Sequence, residues 1–108
     1  MQGAVRMVNE DKDGAVRTWL VRVRGRVQGV GYREACVRRA RALGITGWVR
    51  NRIDGSVEAL LQGPSGPLAD MCQWLRRGVP AAWVEELEVT ELPPPSPRFD
   101  HFNRVETL

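Results

Sequence analysis

Residues 18–33 read TWLVRVRGRVQGVGYR, and this stretch contains a strand, a glycine-bearing turn and the start of a helix. Apart from Leu20, polar and apolar side chains alternate from Thr18 to Arg24, which is the period of a half-buried strand. Gly25 ends that alternation, and apolar residues at helical spacing begin at Tyr32. The sequence therefore predicts a β-α unit whose connecting turn is rich in glycine.

Two segments carry apolar residues at helical spacing. The first helix is predicted over residues 32–43, and Gly44 follows it in the position where helices prefer a glycine. The second is predicted to begin at Pro67, because proline suits the first helical position, and to close at Gly78 and Pro80. Their apolar stripes consist of Tyr32, Cys36, Ala40 and Leu43 in the first helix and of Leu68, Met71, Cys72 and Leu75 in the second.

Further strands are predicted at residues 45–51, 56–62 and 83–90, with a short last strand at 102–108. Asp54-Gly55 is a strong turn signal and joins the first two of these strands into a hairpin. The side chains expected to face the core are Val57, Ala59, Leu61, Leu87 and Val89. The order β-α-β-β-α-β predicts an α+β, ferredoxin-like split β-α-β sandwich, with two helices on one face of an antiparallel sheet.

The length of 108 residues suits one domain, and 43% hydrophobic and 27% charged residues are typical of a globular protein. Residues 1–16 lack periodicity, so we expect a disordered tail before a single domain at 17–108. No apolar run approaches the ~20 residues of a membrane helix, and the first residues lack the apolar region of a signal peptide. These patterns predict a cytoplasmic protein without a membrane partner.

Charge and cysteine usage narrow the classes of ligand. The net charge is +3, and almost all basic residues are arginine. We attribute the preference for arginine to codon usage in a GC-rich genome. A positive charge would also suit a small anionic substrate or nucleic acid. Cys36 and Cys72 are expected to be reduced and buried, and a disulfide stays open if the two helices pack side by side. With a single histidine and no Cys-x-x-Cys spacing, we expect no metal and no other cofactor.

The turn before the first helix has the composition of an anion site. Backbone N–H groups at a turn and helix start point towards an anion, and the helix dipole adds positive potential. Arg33, in the first helical turn, can bind phosphate through two parallel hydrogen bonds. The backbone donors would belong to Gln28, Gly29, Val30, Gly31 and Tyr32. An ordinary β–α turn followed by an exposed arginine is the alternative interpretation of the same residues.

Asn51 is the second candidate, because it ends a predicted strand just before the hairpin turn. Asparagine at such a position commonly forms the turn itself. In the functional interpretation its carboxamide accepts a hydrogen bond from a water and orients that water, although it cannot act as a strong base. His101 is expected to be solvated, so a nucleophile paired with histidine is not supported. The acidic run Glu85, Glu86, Glu88 and Glu91 is expected to be a solvated strand face.

Residues 25–33 and 47–57 together resemble the two signatures of the acylphosphatase family, and their separation and the order of elements agree as well. The resemblance covers residues 17–108 and is loose at 99–108. It implies hydrolysis of the carboxyl–phosphate bond of acyl phosphates without metal and without a covalent intermediate. It also implies that Arg33 and the amides of the preceding loop bind the substrate phosphate, inorganic phosphate or other anions, and that Asn51 orients the attacking water. Trp48 and Trp74 could form an oligomer patch, but single buried aromatics are more common, so we expect a monomer.

A binding module without catalysis is the alternative function. Split β-α-β domains also bind RNA through aromatic residues on the sheet, and others bind small anions. The basic stripe of such a module would consist of Arg22, Arg24, Arg26, Arg50 and Arg52. The chain lacks the run of sheet aromatics that RNA-binding domains use, so nucleic acid is not the expected partner.

Overall fold

The computed structural model describes residues 15–108, so the tail expected at 1–16 lies almost entirely outside the described residues. The elements are strand β1 (Arg17–Arg26), helix α1 (Tyr32–Ala42), strands β2 (Thr46–Asn51) and β3 (Val57–Gly63), helix α2 (Ser65–Arg77), and strands β4 (Trp83–Leu92) and β5 (Phe102–Arg104). This order confirms the predicted β-α-β-β-α-β arrangement with a short last strand. No helix in the described part of the chain is long and apolar enough to cross a membrane.

The sheet has the strand order β4-β1-β3-β2-β5. β3 lies between β1 and β2 and is antiparallel to both, so β1 and β2 are parallel to each other and form the split β-α-β unit. β4 pairs with β1 in antiparallel fashion. β5 pairs with β2 in parallel, so the sheet is mixed, whereas the sequence predicted an antiparallel one.

The side chain of Gln62 binds the connection between β4 and β5, which leads from one edge of the sheet to the other. This side chain is buried on the sheet face opposite the helices, where its amide donates to the Pro97 carbonyl and, over 3.1 Å, to the Thr18 hydroxyl. Its carbonyl oxygen accepts the Phe99 N–H at 3.1 Å. The proline-rich connection after β4 therefore crosses this face of the sheet and delivers Phe102 beside β2.

The core lies between the helices and one face of the sheet. Val21, Val23, Val57, Ala59 and Leu61 fill it from the sheet, and Tyr32, Cys36, Ala40, Leu68, Met71 and Leu75 fill it from the helices. A hydrogen bond of 2.6 Å from the Tyr32 hydroxyl to the Leu75 carbonyl joins the two helices. Val89 was predicted to face the core but is 44% exposed, because β4 is an edge strand that packs on the core only through Val84 and Leu87 in its first half.

The helix ends differ from the predicted ones by one or two residues. α1 ends at Ala42, and Gly44 follows with the left-handed φ of +72° expected of it. α2 begins at Ser65 rather than at Pro67. Pro67 is tolerated there because the first turn of a helix has no intrahelical acceptor for its N–H groups.

Both cysteines are free thiols. Burial raises the pKa of the half-buried Cys72 to about 11 and raises the pKa of the fully buried Cys36 further. Both side chains are therefore neutral at physiological pH, where they behave as small apolar groups.

We expect the native thiols to react slowly with Ellman's reagent, because only about one Cys72 side chain in a thousand is a thiolate at pH 8 when its pKa is about 11. Cys72 should react first, and Cys36 should react only when the protein unfolds. Mass spectrometry of the labelled protein checks the order. Rapid labelling of Cys36 in the folded state would contradict the burial.

Glu58 is a charged residue in the most buried strand, on the sheet face opposite the helices. Arg22 donates to its Oε2 at 3.1 Å, and Arg50 and Arg52 donate to its Oε1 at 2.9 and 3.4 Å. Burial by itself would raise the pKa of Glu58, but the hydrogen bonds from Arg22 and Arg50 outweigh burial and lower it. The ionised carboxylate therefore stabilises the folded state.

Glu58→Gln should lower the free energy of unfolding at pH 7 by about 2 kcal/mol, because it removes one partner of a mostly buried ion pair. A lowered pKa in the folded state means that this stabilisation is complete above the ordinary glutamate pKa of about 4.3 and is lost as the pH falls below it. Urea unfolding at pH 7 and pH 3 should therefore show a difference that shrinks in acid. Glu88→Gln, on an exposed site of β4, is the control.

Candidate active site

The turn between β1 and α1 presents a row of backbone amides. Gly29 and Gly31 have φ of +78° and +79°, a left-handed conformation that other residues rarely adopt. No side chain caps the start of α1. Within residues 15–108, no backbone amide from 28 to 33 donates a hydrogen bond to another group of the protein. The donors expected from the sequence are thus free to bind a ligand, and we call residues 28–33 the cradle.

Arg33 is the second residue of α1 and is half-buried. Its guanidinium makes no hydrogen bond or ion pair with any residue in the range 15–108. Its backbone belongs to the same helical turn as the free amides, so its guanidinium is a candidate charged donor for an anion bound there.

Asn51 is the last residue of β2. Val49, two residues earlier, is buried against the helices, so the alternation of a strand directs Asn51 to the same face, the one on which α1 begins. Its Oδ1 is buried without a hydrogen-bond partner among the described residues. An unsatisfied buried acceptor costs about 1–3 kcal/mol, which makes it a candidate for binding a water or a substrate group.

Gln28 brings the cradle and Asn51 together. Its side-chain Nε2 donates to the carbonyl of Arg52 at 2.8 Å and to the carbonyl of Ser56 at 2.9 Å. Arg52 directly follows Asn51, so these two bonds attach the first residue of the cradle to the hairpin that carries the asparagine. From the sequence, Gln28 was expected to contribute only its backbone amide, because no local pattern indicates side-chain contacts across 24 and 28 residues.

The hairpin turn is itself held by hydrogen bonds. Asp54 accepts the Ser56 hydroxyl at 2.6 Å and the Ser56 N–H at 2.9 Å. These two bonds, with a smaller contribution from Arg24, hold the pKa of Asp54 well below its usual range. The turn therefore presents its carbonyl groups to Gln28 in a defined position.

The other candidate groups lie elsewhere. His101 is exposed and precedes the β5 residue that pairs with Gly47, which is four residues from Asn51 along β2, or about 13 Å. The glutamates of β4, residues 85, 86, 88 and 91, are exposed at the sheet edge. Within residues 15–108, no group of three or more His, Cys, Asp or Glu side chains is arranged to hold a metal ion.

Among residues 15–108, four of the five arginines in the basic stripe of the alternative function form ion pairs, and Arg26 forms none. Arg22, Arg50 and Arg52 surround Glu58, and Arg24 lies 3.2 Å from Asp54 and 3.7 Å from Glu86. Paired guanidinium groups contribute less to binding a phosphate backbone than free ones do, because each also attracts a carboxylate. Carboxylates therefore occupy most of the guanidinium groups on this face of the sheet.

Known proteins share both the fold and the sequence of this chain. The sequence profile of the family described as Acylphosphatase matches residues 19–103. The acylphosphatase of Polaromonas naphthalenivorans is 62% identical over 101 residues, which are 94% of this chain and 100% of the relative. Acylphosphatase 1 of Ralstonia nicotianae is 68% identical over 94 residues, which are 87% of this chain and 92% of the relative.

Solved structures agree with the sequence relatives. The acylphosphatase of Bacillus subtilis superposes with a TM-score of 0.79 and 35% identity, covering 82% of this chain and 98% of that chain. The acylphosphatase of Coxiella burnetii superposes with a TM-score of 0.78 and 31% identity, covering 83% and 93%. The fold is thus the ferredoxin-like α+β sandwich of these enzymes. The chain belongs to the acylphosphatase family.

Gln28→Ala should weaken the coupling between the cradle and the hairpin. We expect kcat/KM for an acyl phosphate to fall about tenfold, because misplacement of a catalytic group by less than 1 Å already reduces rates substantially. The free energy of unfolding should fall by about 1–2 kcal/mol, because two carbonyl groups lose their donor. Gln73→Ala, at an exposed site of α2, is the matched control. Unchanged kinetics in Gln28→Ala would contradict the role of the Gln28 side chain in joining the cradle to the hairpin.

Proposed function

We propose that the cradle, Arg33 and Asn51 form the active site with which this chain hydrolyses the carboxyl–phosphate bond of acyl phosphates. Membership of the acylphosphatase family makes the chain a hydrolase that acts on acid anhydrides, with a small acyl phosphate as its substrate. The assignment of these residues rests on the side chain of Gln28. Its bond to the Arg52 carbonyl joins the loop with free amides to the strand end that carries the unpartnered Oδ1 of Asn51.

The phosphate of the substrate occupies the cradle. Its oxygens accept hydrogen bonds from the backbone amides of Gln28, Gly29, Val30, Gly31, Tyr32 and Arg33 and from the Arg33 guanidinium. Phosphoryl transfer depends mainly on positioning and on stabilising charge at the equatorial oxygens, which these donors supply. Each donor of this kind is worth about 2.7–4 kcal/mol in the transition state.

Asn51 orients the attacking water. Its Oδ1 accepts one hydrogen of the water, so that an oxygen lone pair points at phosphorus opposite the acyl oxygen. The new phosphorus–oxygen bond forms as the bond to the acyl oxygen breaks, and the carboxylate leaves with that electron pair. The phosphate itself takes the proton of the water. An acyl phosphate is a mixed anhydride with a good leaving group, so no strong base is needed.

The remaining properties follow from the same proposal. The protein acts as a cytoplasmic monomer whose single domain spans residues 17–108. Inorganic phosphate and other small anions compete with the substrate, because they match the same donors. No metal or other cofactor takes part, and nucleic acid is not a partner.

Arg33→Ala and Asn51→Ala should each reduce kcat for acetyl phosphate by at least 100-fold in the presence of a chelator, because each removes a group that acts in the transition state. Arg33→Ala should also weaken inhibition by inorganic phosphate, whereas Asn51→Ala should leave that inhibition nearly unchanged.

Arg38→Ala is the matched control for this experiment, because Arg38 is an exposed arginine of the same helix. Circular dichroism verifies that each variant is folded. Full activity of either site variant would refute its assigned role, and a loss of wild-type activity on chelation would refute the metal-free mechanism.

A further inference from the structure

We propose that Glu58 is a positioning residue for Asn51, acting through the two arginines that flank the asparagine. The proposal rests on the water-orienting role of Asn51 given above. Arg50 and Arg52 both donate to the same carboxylate oxygen, Oε1 of Glu58, at 2.9 and 3.4 Å. The residues immediately before and after Asn51 are therefore held by one buried atom.

Strand alternation makes this arrangement effective. Arg50, Arg52 and Glu58 lie on the face of the sheet opposite the helices, whereas Asn51 points to the helical face. The carboxylate thus holds the backbone at the end of β2 from the side that the substrate does not occupy. It restrains the asparagine without competing for the hydrogen bonds of its side chain.

Glu58 is suited to be the fixed point of this arrangement. It lies in the central strand β3, and only 6% of its side chain is exposed. In the register of the sheet it pairs directly with Arg50 of β2 on one side and with Arg22 of β1 on the other. Arg22 donates to its second oxygen, Oε2, at 3.1 Å. The carboxylate therefore bridges the strand that leads to the cradle and the strand that ends at Asn51.

Other bonds already hold the backbone around Asn51. The Leu108 N–H donates to the Asn51 carbonyl at 3.3 Å, and Gln28 donates to the Arg52 carbonyl at 2.8 Å. The Glu58 carboxylate adds a restraint on the other face of the sheet, through the side chains on either side of Asn51. A buried ion cluster is weak evidence for stability, but in some proteins such clusters specify a single geometry. One carboxylate that binds three arginines specifies a single arrangement of the strand end.

The expected signature is a loss of turnover without a loss of phosphate affinity. The donors of the cradle lie on the loop and on α1, and none of them contacts Glu58. A shifted Asn51 therefore misplaces the water while the phosphate remains bound, so kcat should fall and the inhibition constant of inorganic phosphate should not change.

The test compares Glu58→Gln and Arg52→Gln with the control Glu88→Gln, which removes an exposed glutamate from β4 on the same sheet face. We expect kcat for acetyl phosphate to fall about tenfold in the first two variants and to stay within twofold of wild type in the control. The inhibition constant of phosphate should stay within twofold in all three. Arg52 is partly exposed, so Arg52→Gln decides the outcome if Glu58→Gln does not fold.

Nuclear magnetic resonance separates positioning from general destabilisation. The side-chain NH₂ signals of Asn51, identified by their absence in Asn51→Ala, should shift or broaden in Arg52→Gln, while the backbone amide signals of Gly29 and Gly31 stay in place. Unchanged kcat and unchanged Asn51 signals would overturn the proposal, as would a parallel loss of phosphate affinity. Wild-type activity in Asn51→Ala would instead refute the proposed function, and the role of Glu58 with it.

Discussion

Two hydrogen bonds from one amide group hold the two halves of this site together. The Nε2 of Gln28 donates to the carbonyls of Arg52 and Ser56, at 2.8 and 2.9 Å, and so joins the loop after β1 to the hairpin after β2. The amides of this loop make no hydrogen bonds to other residues in the described part of the chain, so few bonds of its own stabilise its conformation. Its position therefore depends on an anchor outside itself, and Gln28 provides that anchor.

The site carries several costs to stability that the rest of the fold must offset. Glycines hold left-handed conformations, and neither the backbone amides of the cradle nor the buried Oδ1 of Asn51 has a partner within residues 15–108. The core beneath is continuous, and the hydroxyl of Tyr32 ties the start of α1 to the end of α2 through Leu75. The cradle is therefore built on a helix start that is rigidly placed, which suits catalysis by positioning.

The two faces of the sheet have different tasks. The helical face supplies the core and the site, whereas the opposite face carries the polar cluster around Glu58 and the buried amide of Gln62. Gln62 guides the connection that returns from β4 to the far edge, and this return adds β5 in parallel to β2. Local sequence patterns do not indicate the bonds of Glu58 or of Gln62, because the partners of these two side chains lie 6 to 44 residues away in the chain.

The sequence by itself determined the elements, their order and the residues of the candidate site, because periodicity and turn composition are local. Both helices, the hairpin and the amide donors of residues 28–32 were predicted from neighbours in the chain. Only the tertiary structure decided that Val89 is exposed, that α2 begins before Pro67 and that β5 runs parallel to β2. It also decided that Gln28 binds the hairpin from the loop after β1 and that Glu58 joins Arg50 and Arg52 within the hairpin. These outcomes depend on which strand lies at an edge and which side chains meet across it, and both are properties of the folded chain.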